Sequence, residues 1–299
     1  MNFRNLAKSL LILLTLLALL YASRSLEAAA LPSAPAYELP QTEVHALHAA
    51  RLGRDYQLFV GLPEGYAEHP ERRYPLLLLA DGPYAFPLMR SITRRVSDHG
   101  RALQDHIVVG LSYSLGDSPA LSRNRDYTPA PRRDARAGEL YGEGPAYARH
   151  LREEVLPYLA SHFRVDMNHK TFMGHSYGAL LGAQMLLNTP SAFERYVLSS
   201  ASLWYGDGLL LRRAEQLVRE HAALPAQVLL LAGALERPRR SGQREQGDDI
   251  AGDTLRFEAL LKRAKLPGLT ISAQILPEED HLSAAPVAYT RGLRWALPR

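Results

Sequence analysis

Five residues in the middle of the chain, Gly174-His175-Ser176-Tyr177-Gly178, have the form G-x-S-x-G. The pattern alone is weak, because at ordinary glycine usage it arises by chance in roughly one chain of this length in ten. Its surroundings make it informative. Thr171-Phe172-Met173 before it reads as a brief strand, and Tyr177 to Asn188 after it reads as a helix. A serine on so tight a strand-to-helix turn needs flanking residues without a Cβ. Its hydroxyl then sits at a helix N-terminus, where the dipole and the free N–H groups favour negative charge. Such a serine becomes a nucleophile when a base takes its proton.

His281 is the candidate base. It lies in the loop Pro277-Glu278-Glu279-Asp280-His281, after an apolar stretch and before the last helix. The chain order serine, acid, histidine places the base there. His175 adjoins the serine, is expected to point the opposite way, and reads as structural. For the acid, Glu236 follows the strand Val228 to Ala232 at the usual station for a carboxylate that orients the histidine. Asp248, Asp249 and Asp253 are alternatives on the same connection, and a Ser-His dyad without an acid is another. Asp280, next to the histidine, reads as a loop cap. The oxyanion hole is expected to use the N–H of Tyr177. A second donor is expected from Asp81-Gly82-Pro83-Tyr84, where Pro83 has none. Gly82 or Tyr84 must therefore donate, with Tyr84 preferred.

The elements that would hold these groups alternate. Glu43 to Ala50 and Tyr56 to Leu62 read as two strands joined through Gly53, an antiparallel edge. Tyr74 to Ala80 and His106 to Tyr113 are short, continuously apolar runs of the kind buried on both faces in a parallel sheet. A helix near Phe86 to Ser97 lies between them. Residues 114 to 143 are rich in Gly, Pro, Arg and Asp and read as a long surface excursion. Helical spacing over Pro145 to Phe163 follows. Beyond the serine, strands at 196–199, 228–232 and 270–276 alternate with helices at 208–222, 254–265 and 284–297. The pattern predicts an α/β class fold, a mostly parallel sheet with helices on both faces.

The bulk properties narrow the field. The sequence has 299 residues, enough for one large domain with a buried core. Arg4, Lys8, Arg24 and Glu27 of the N-terminal segment account for +2 of the formal +4, leaving too little charge for a nucleic-acid reading. That segment has the order of a secretory signal: a basic start, an apolar run from Leu10 to Tyr21, then Ala28-Ala29-Ala30. The run is shorter than the ~20 apolar residues of a bilayer span, so an uncleaved anchor is the lesser alternative. Residues 1–30 are thus read as a signal peptide, 31–42 as an extended lead-in, and 43–299 as the catalytic domain. A periplasmic or secreted location follows. The absence of cysteine removes disulfides, thiolate chemistry and lipoprotein processing.

The segments YPLLLLADGPYAF, VVGLSY, RNRDYTP, EEVLPYLASHFRV, FMGHSYGALLG and SSASLWY, in this order and spacing, resemble the esterase D-like "putative esterase" family. Within it they are most similar to the branch of trilactone siderophore esterases, which act on enterobactin, salmochelin or bacillibactin. The resemblance covers most of residues 43 to 297. It implies the α/β-hydrolase fold, carboxylic-ester hydrolysis through an acyl-enzyme, and neither metal nor organic cofactor. The implied partner is a small-molecule ester, a ferric siderophore in this branch, with no obligate protein partner. By the same resemblance Ser176 is the nucleophile, His281 its base, Arg123 or Arg125 an active-site arginine, and Trp204 a cleft aromatic. Ala179 departs from the glycine common there, and the acid position varies among relatives. Arginines at 90, 94 and 95, at 123, 125, 132 and 133, and at 237, 239 and 240 are expected at the serine's end of the sheet. There they would meet an anionic substrate, or else pair with Asp117, Asp126, Asp134 and Glu139. An acyltransferase, a generic short-chain esterase and a non-catalytic envelope binding protein are the competing functions on this fold.

Overall fold

The computed structural model describes residues 12–19, 21, 36–99, 103–241, 244–246 and 248–298. Two units are distinguished, Met1–Glu38 and Leu39–Arg299. In the first, residues 12–19 are helical, and the cleavage region around Ala28 to Ala30 lies outside the described residues. Among the described residues no helix is long and apolar enough to cross a membrane.

The second unit is built on an eight-stranded sheet. Its strands are β1 (Thr42–Ala49), β2 (Arg54–Gly61), β3 (Tyr74–Leu79), β4 (Ile107–Leu111), β5 (Val165–His175), β6 (Arg195–Ser199), β7 (Ala226–Gly233) and β10 (Leu269–Leu276). They lie in the order β1-β2-β4-β3-β5-β6-β7-β10. The pairs β1–β2 and β2–β4 are antiparallel, and every pairing from β4 through to β10 is parallel. β8 (Arg239–Ser241) and β9 (Arg244–Gln246) form a separate hairpin.

Alternation along the buried strands builds two cores. Leu76, Leu78 and Ala80 belong to one, while Leu77 and Leu79 belong to the other, as the period of two requires. The first core is closed by α5 (Tyr177–Asn188), α6 (Tyr205–Arg219) and α7 (Ile250–Ala264) through Leu180, Ala183, Leu210, Ala214, Phe257 and Leu261. The second is closed by α1 (Gly82–His99) and α8 (Ala284–Ala296) through Met89, Ala288 and Leu293. Helices therefore cover both faces, the α/β-hydrolase arrangement.

Two segments differ from the sequence reading. The stretch 114–143 is not a surface excursion throughout. It contains α2 (Pro119–Tyr127), capped by Ser118, and buries Ser122, Arg125, Asp126 and Tyr127. Its charges are internal because they are paired. The helix expected over Pro145 to Phe163 is three pieces: α3 (Gly144–His150), a π-helical turn Leu151–Val155, and α4 (Leu156–His162).

Candidate active site

All the candidate groups except those on α2 stand just past the carboxyl ends of parallel strands. Asp81 follows β3, Ser176 follows β5, Ser200 and Ser202 follow β6, Glu236 follows β7 and His281 follows β10. Open parallel sheets place their ligand sites in this crevice.

Ser176 has φ 57° and ψ −119°, a conformation that L-residues seldom adopt. The turn around it is as tight as the motif requires. A Cβ on Gly174 would lie 2.4 Å from the Gly178 carbonyl carbon, and one on Gly178 would lie 3.0 Å from Asp81 Oδ2. The serine backbone is held at one end by its N–H on the Ser199 carbonyl (2.9 Å) and at the other by Leu180 N–H on its own carbonyl (2.9 Å). Its Oγ lies 3.4 Å from Ser202 Oγ.

Glu236 and His281 meet, with Oε2 2.7 Å from Nδ1. The other carboxylate oxygen, Oε1, accepts the Ser200 hydroxyl (2.6 Å) and the Gly233 N–H (2.7 Å). Burial alone would raise the pKa of Glu236, but the bonds from His281, Ser200 and Gly233 outweigh it and hold the carboxyl below its ordinary range. Asp249 instead caps α7 through the Gly252 N–H (2.8 Å), Asp253 lies in that helix's first turn, and Asp248 is exposed. Asp280 accepts the N–H groups of Leu282 and Ser283 at 2.9 Å each, closing the histidine loop.

His175 does not point away from the site. Met173 and His175 alternate onto the face covered by α8, and His281 immediately precedes that helix. The two imidazoles therefore pack at 4.6 Å between centroids. Burial, reinforced by His281, pushes the His175 pKa down to about 4, and its Nδ1 is 3.0 Å from Ser199 Oγ.

The oxyanion loop also differs from expectation. The Tyr84 N–H donates to the Asp81 carbonyl at 3.0 Å, closing the first turn of α1. Gly82 is the first residue of α1, where the N–H has no intrahelical acceptor. Asp81 holds φ 54°. Its N–H donates to Tyr127 Oη (3.1 Å), and its Oδ1 accepts the Tyr113 hydroxyl (2.8 Å).

Arg123 grips the same carboxylate with both arms, Nε to Oδ1 at 2.7 Å and Nη2 to Oδ2 at 3.1 Å. Nη2 also donates to the His175 carbonyl at 3.3 Å, and the guanidinium lies 5.3 Å from the Tyr177 ring centre. Arg125 is elsewhere. It is buried with Nε on Asp126 (2.8 Å) and Nη1 on Asp117 (2.7 Å), so its donors are committed to the interior and not to the cleft. Arg125→Ala is expected to cost up to about 3–5 kcal/mol of stability, because buried Asp126 would keep only its longer ion pair to Arg54 (3.4 Å) and Asp117 would lose its partner. Chemical denaturation measures this, and a loss below about 1 kcal/mol would mean the network is not structural.

Arg132 pairs with Asp134 (2.6 Å) at the margin of the cleft, 5.4 Å from the Tyr141 ring centre. Arg90 and Arg94 are not at the serine's end of the sheet. α1 starts there but runs back toward the opposite end, where Arg90 reaches the Pro40 carbonyl (3.2 Å). The side chains of Arg95, Arg239 and Arg240 lie outside the described residues. Trp204 packs on Tyr177 (6.3 Å) and Tyr205 (6.1 Å), an aromatic wall beside Ser202.

Sequence reading missed Ser200 and Ser202. Their signal was present: small hydroxyl residues directly after an apolar strand that neighbours the elbow strand.

A family model described as "Putative esterase" matches residues 49–228. The chain belongs to this family of carboxylic-ester hydrolases. It is 27% identical over 276 residues to the ferri-bacillibactin esterase of Bacillus subtilis, covering 88% of this chain and 91% of that one. It is 29% identical over 190 residues to the siderophore triacetylfusarinine C esterase of Aspergillus fumigatus, covering 60% of this chain and 62% of that one. Among solved structures, the BES protein from Bacillus cereus superposes with a TM-score of 0.75 at 22% identity, over 89% of this chain and 98% of that one. A siderophore hydrolase from Aspergillus nidulans superposes with a TM-score of 0.71 at 24% identity, over 89% of this chain and all of that one. These superpositions support the α/β-hydrolase fold.

Proposed function

We propose that this esterase hydrolyses a catecholate trilactone siderophore of the enterobactin kind, in its ferric form, through an acyl-enzyme on Ser176. The observation that carries the catalytic part is the Glu236–His281 pair in the same crevice as an elbow serine. With Nδ1 held on Glu236, His281 keeps Nε2 to take the proton of Ser176 Oγ as that oxygen attacks the ester carbonyl. The N–H groups of Tyr177 and Gly82 receive the negative oxygen of the tetrahedral intermediate. The proton on His281 then goes to the departing alkoxide, and water repeats the sequence on the acyl-enzyme. Arg123 serves as a positioning residue: through Asp81 and the His175 carbonyl it ties the oxyanion loop to the elbow.

The substrate part rests on the siderophore-esterase relatives and on the aromatic wall of Tyr177 and Trp204, which offers ring faces to catechol groups. Charge contributes less than the arginine count suggests, because Arg123, Arg125 and Arg132 already hold carboxylates. Purified protein given ferric enterobactin and a neutral p-nitrophenyl ester is expected to favour the siderophore in kcat/KM by at least tenfold. Trp204→Ala should lower that preference several-fold, consistent with an aromatic contact of about 0.5–1.5 kcal/mol. Equal or faster turnover of the neutral ester would reduce the assignment to a generic esterase.

Residues 1–30 act as an export signal in this reading, so the enzyme works outside the cytoplasm. Terminal sequencing of the protein from its native envelope fraction is expected to find a start near Leu31. A full-length chain retained on membranes after a salt wash would point to an anchor.

A further inference from the structure

His281 comes from a loop, not from a strand or a helix, and 39% of its side chain is exposed. Its bond to Glu236 fixes Nδ1 at 2.7 Å but leaves the ring free to tilt about that contact. A tilt carries Nε2 away from the serine, since Nε2 stands on the far side of the ring from the fixed atom. Proton transfer is sensitive to such a shift, and a displacement of about 1 Å can cost a hundredfold in rate. One hydrogen bond does not supply that precision alone.

Among the described residues, the ring packed on His281 is that of His175, with centroids 4.6 Å apart and planes at 43°. His175 has a far stiffer setting. It ends β5, its register partner across the sheet is Ser199 of β6, and Arg123 Nη2 donates to its carbonyl at 3.3 Å. Ser199 is fully buried and is tied to the elbow twice. Its carbonyl accepts the Ser176 N–H at 2.9 Å, and its Oγ lies 3.0 Å from His175 Nδ1. The His175 ring is thus pinned to the same strand pair that sets the nucleophile. A side chain carried by a strand holds its place better than one on a loop.

The chemistry of the ring suits this position. Burial first, and then the neighbouring His281, push the His175 pKa down to about 4, while Glu236 and Asp81 favour its proton and Arg123 opposes it. At neutral pH the ring is therefore uncharged. It stands against His281 without repelling the positive charge that the base acquires in each proton transfer. An apolar ring would do the same but would lack the bond to Ser199. The arrangement has a cost, because His175 Nε2 is buried with no hydrogen-bond partner among the described residues. Such unpaired groups are uncommon and call for a reason.

We propose that His175 is a positioning residue for the base: pinned to Ser199, its ring backs the His281 imidazole and keeps Nε2 aimed at Ser176. The inference rests on His281 being the base, and it adds what holds that base in place.

Two substitutions separate the ring from the pin. His175→Asn keeps an amide where Nδ1 stood, so the Ser199 bond can persist, and removes the ring. His175→Phe keeps a ring and removes the bond. Both should lose some stability, Asn through the space left by the ring and Phe through the unpaired Ser199 hydroxyl. Their rates should differ. With a neutral p-nitrophenyl ester, Asn is expected to lower kcat by roughly ten- to a hundredfold at unchanged KM, and Phe to stay within about fivefold of the parent. A purely structural role would cost the two variants alike. A kcat loss under about tenfold in Asn, equal losses in Asn and Phe, or a change confined to KM would overturn the inference. Asn alone decides it should Phe fail to fold, and His175→Ala replaces Asn should Asn fail. Failure of the underlying mechanism looks different: His281→Ala would then keep its activity, whatever the His175 variants do.

Discussion

Replacing Ser176 by Ala is expected to lower kcat for ester hydrolysis by about 10⁴- to 10⁶-fold, and His281→Ala by a similar factor. The reason is their division of labour. The serine oxygen is reactive only while a base removes its proton, and the base has nothing to do without the serine. Their losses are therefore not additive, and the double variant should be within about tenfold of either single one. Neither side chain carries the core, so both variants should keep the melting profile of the parent to within a few degrees. Steady-state kinetics on a p-nitrophenyl ester, with melting curves beside them, checks all three statements. Additive losses would mean that the two residues act in separate steps.

The second large effect concerns Glu236. Glu236→Gln keeps the size of the side chain but removes the negative charge that Nδ1–H of His281, Ser200 Oγ–H and Gly233 N–H all point toward. An amide can satisfy some of these donors, yet its NH₂ must face one of them. The imidazole then loses its orientation and the support of its positive charge, and kcat should fall by about 10²- to 10⁴-fold. The sign of the pH effect follows from the depressed carboxyl. A folded pKa below the unfolded value adds stability that is fully present above the unfolded value and is lost as pH falls through the folded one. The parent should therefore lose stability relative to Glu236→Gln only on the acid side of the ordinary glutamate range. A kinetic loss under tenfold would indicate a Ser-His dyad.

The parts of this site legible in the sequence were those set by local geometry or by chain order. Gly174 and Gly178 announce the elbow because backbone crowding there excludes a Cβ. Glu236 and His281 could be placed because each follows an apolar strand in the order the fold imposes. The strands were legible for a related reason, since Tyr74–Leu79 and Ile107–Leu111 are buried on both faces and so are apolar throughout.

What could not be read were the partners of charges. Arg123 meets Asp81 across 42 residues of sequence, and Arg125 and Asp126 are buried because Asp117, Tyr56 and Ser122 complete a network that no periodicity encodes. A stretch rich in Arg and Asp looks like solvated surface until its pairing is known. The direction of α1 was equally hidden. A helix that begins beside the serine still carries Arg90 to the far end of the sheet, so proximity in sequence to the oxyanion loop was misleading. His175 shows the same limit at smaller scale, because its neighbour His281 is fixed by which face α8 covers.

Ester hydrolysis in this mechanism runs through a covalent bond to Ser176. The most direct measurement treats the protein with a fluorophosphonate probe, follows esterase activity during labelling, and maps the adduct by mass spectrometry. One adduct per molecule is expected, on the peptide holding Ser176, with activity lost in proportion to labelling. Undiminished hydrolysis by fully labelled protein, or an adduct elsewhere with Ser176 unmodified and activity lost, would contradict it.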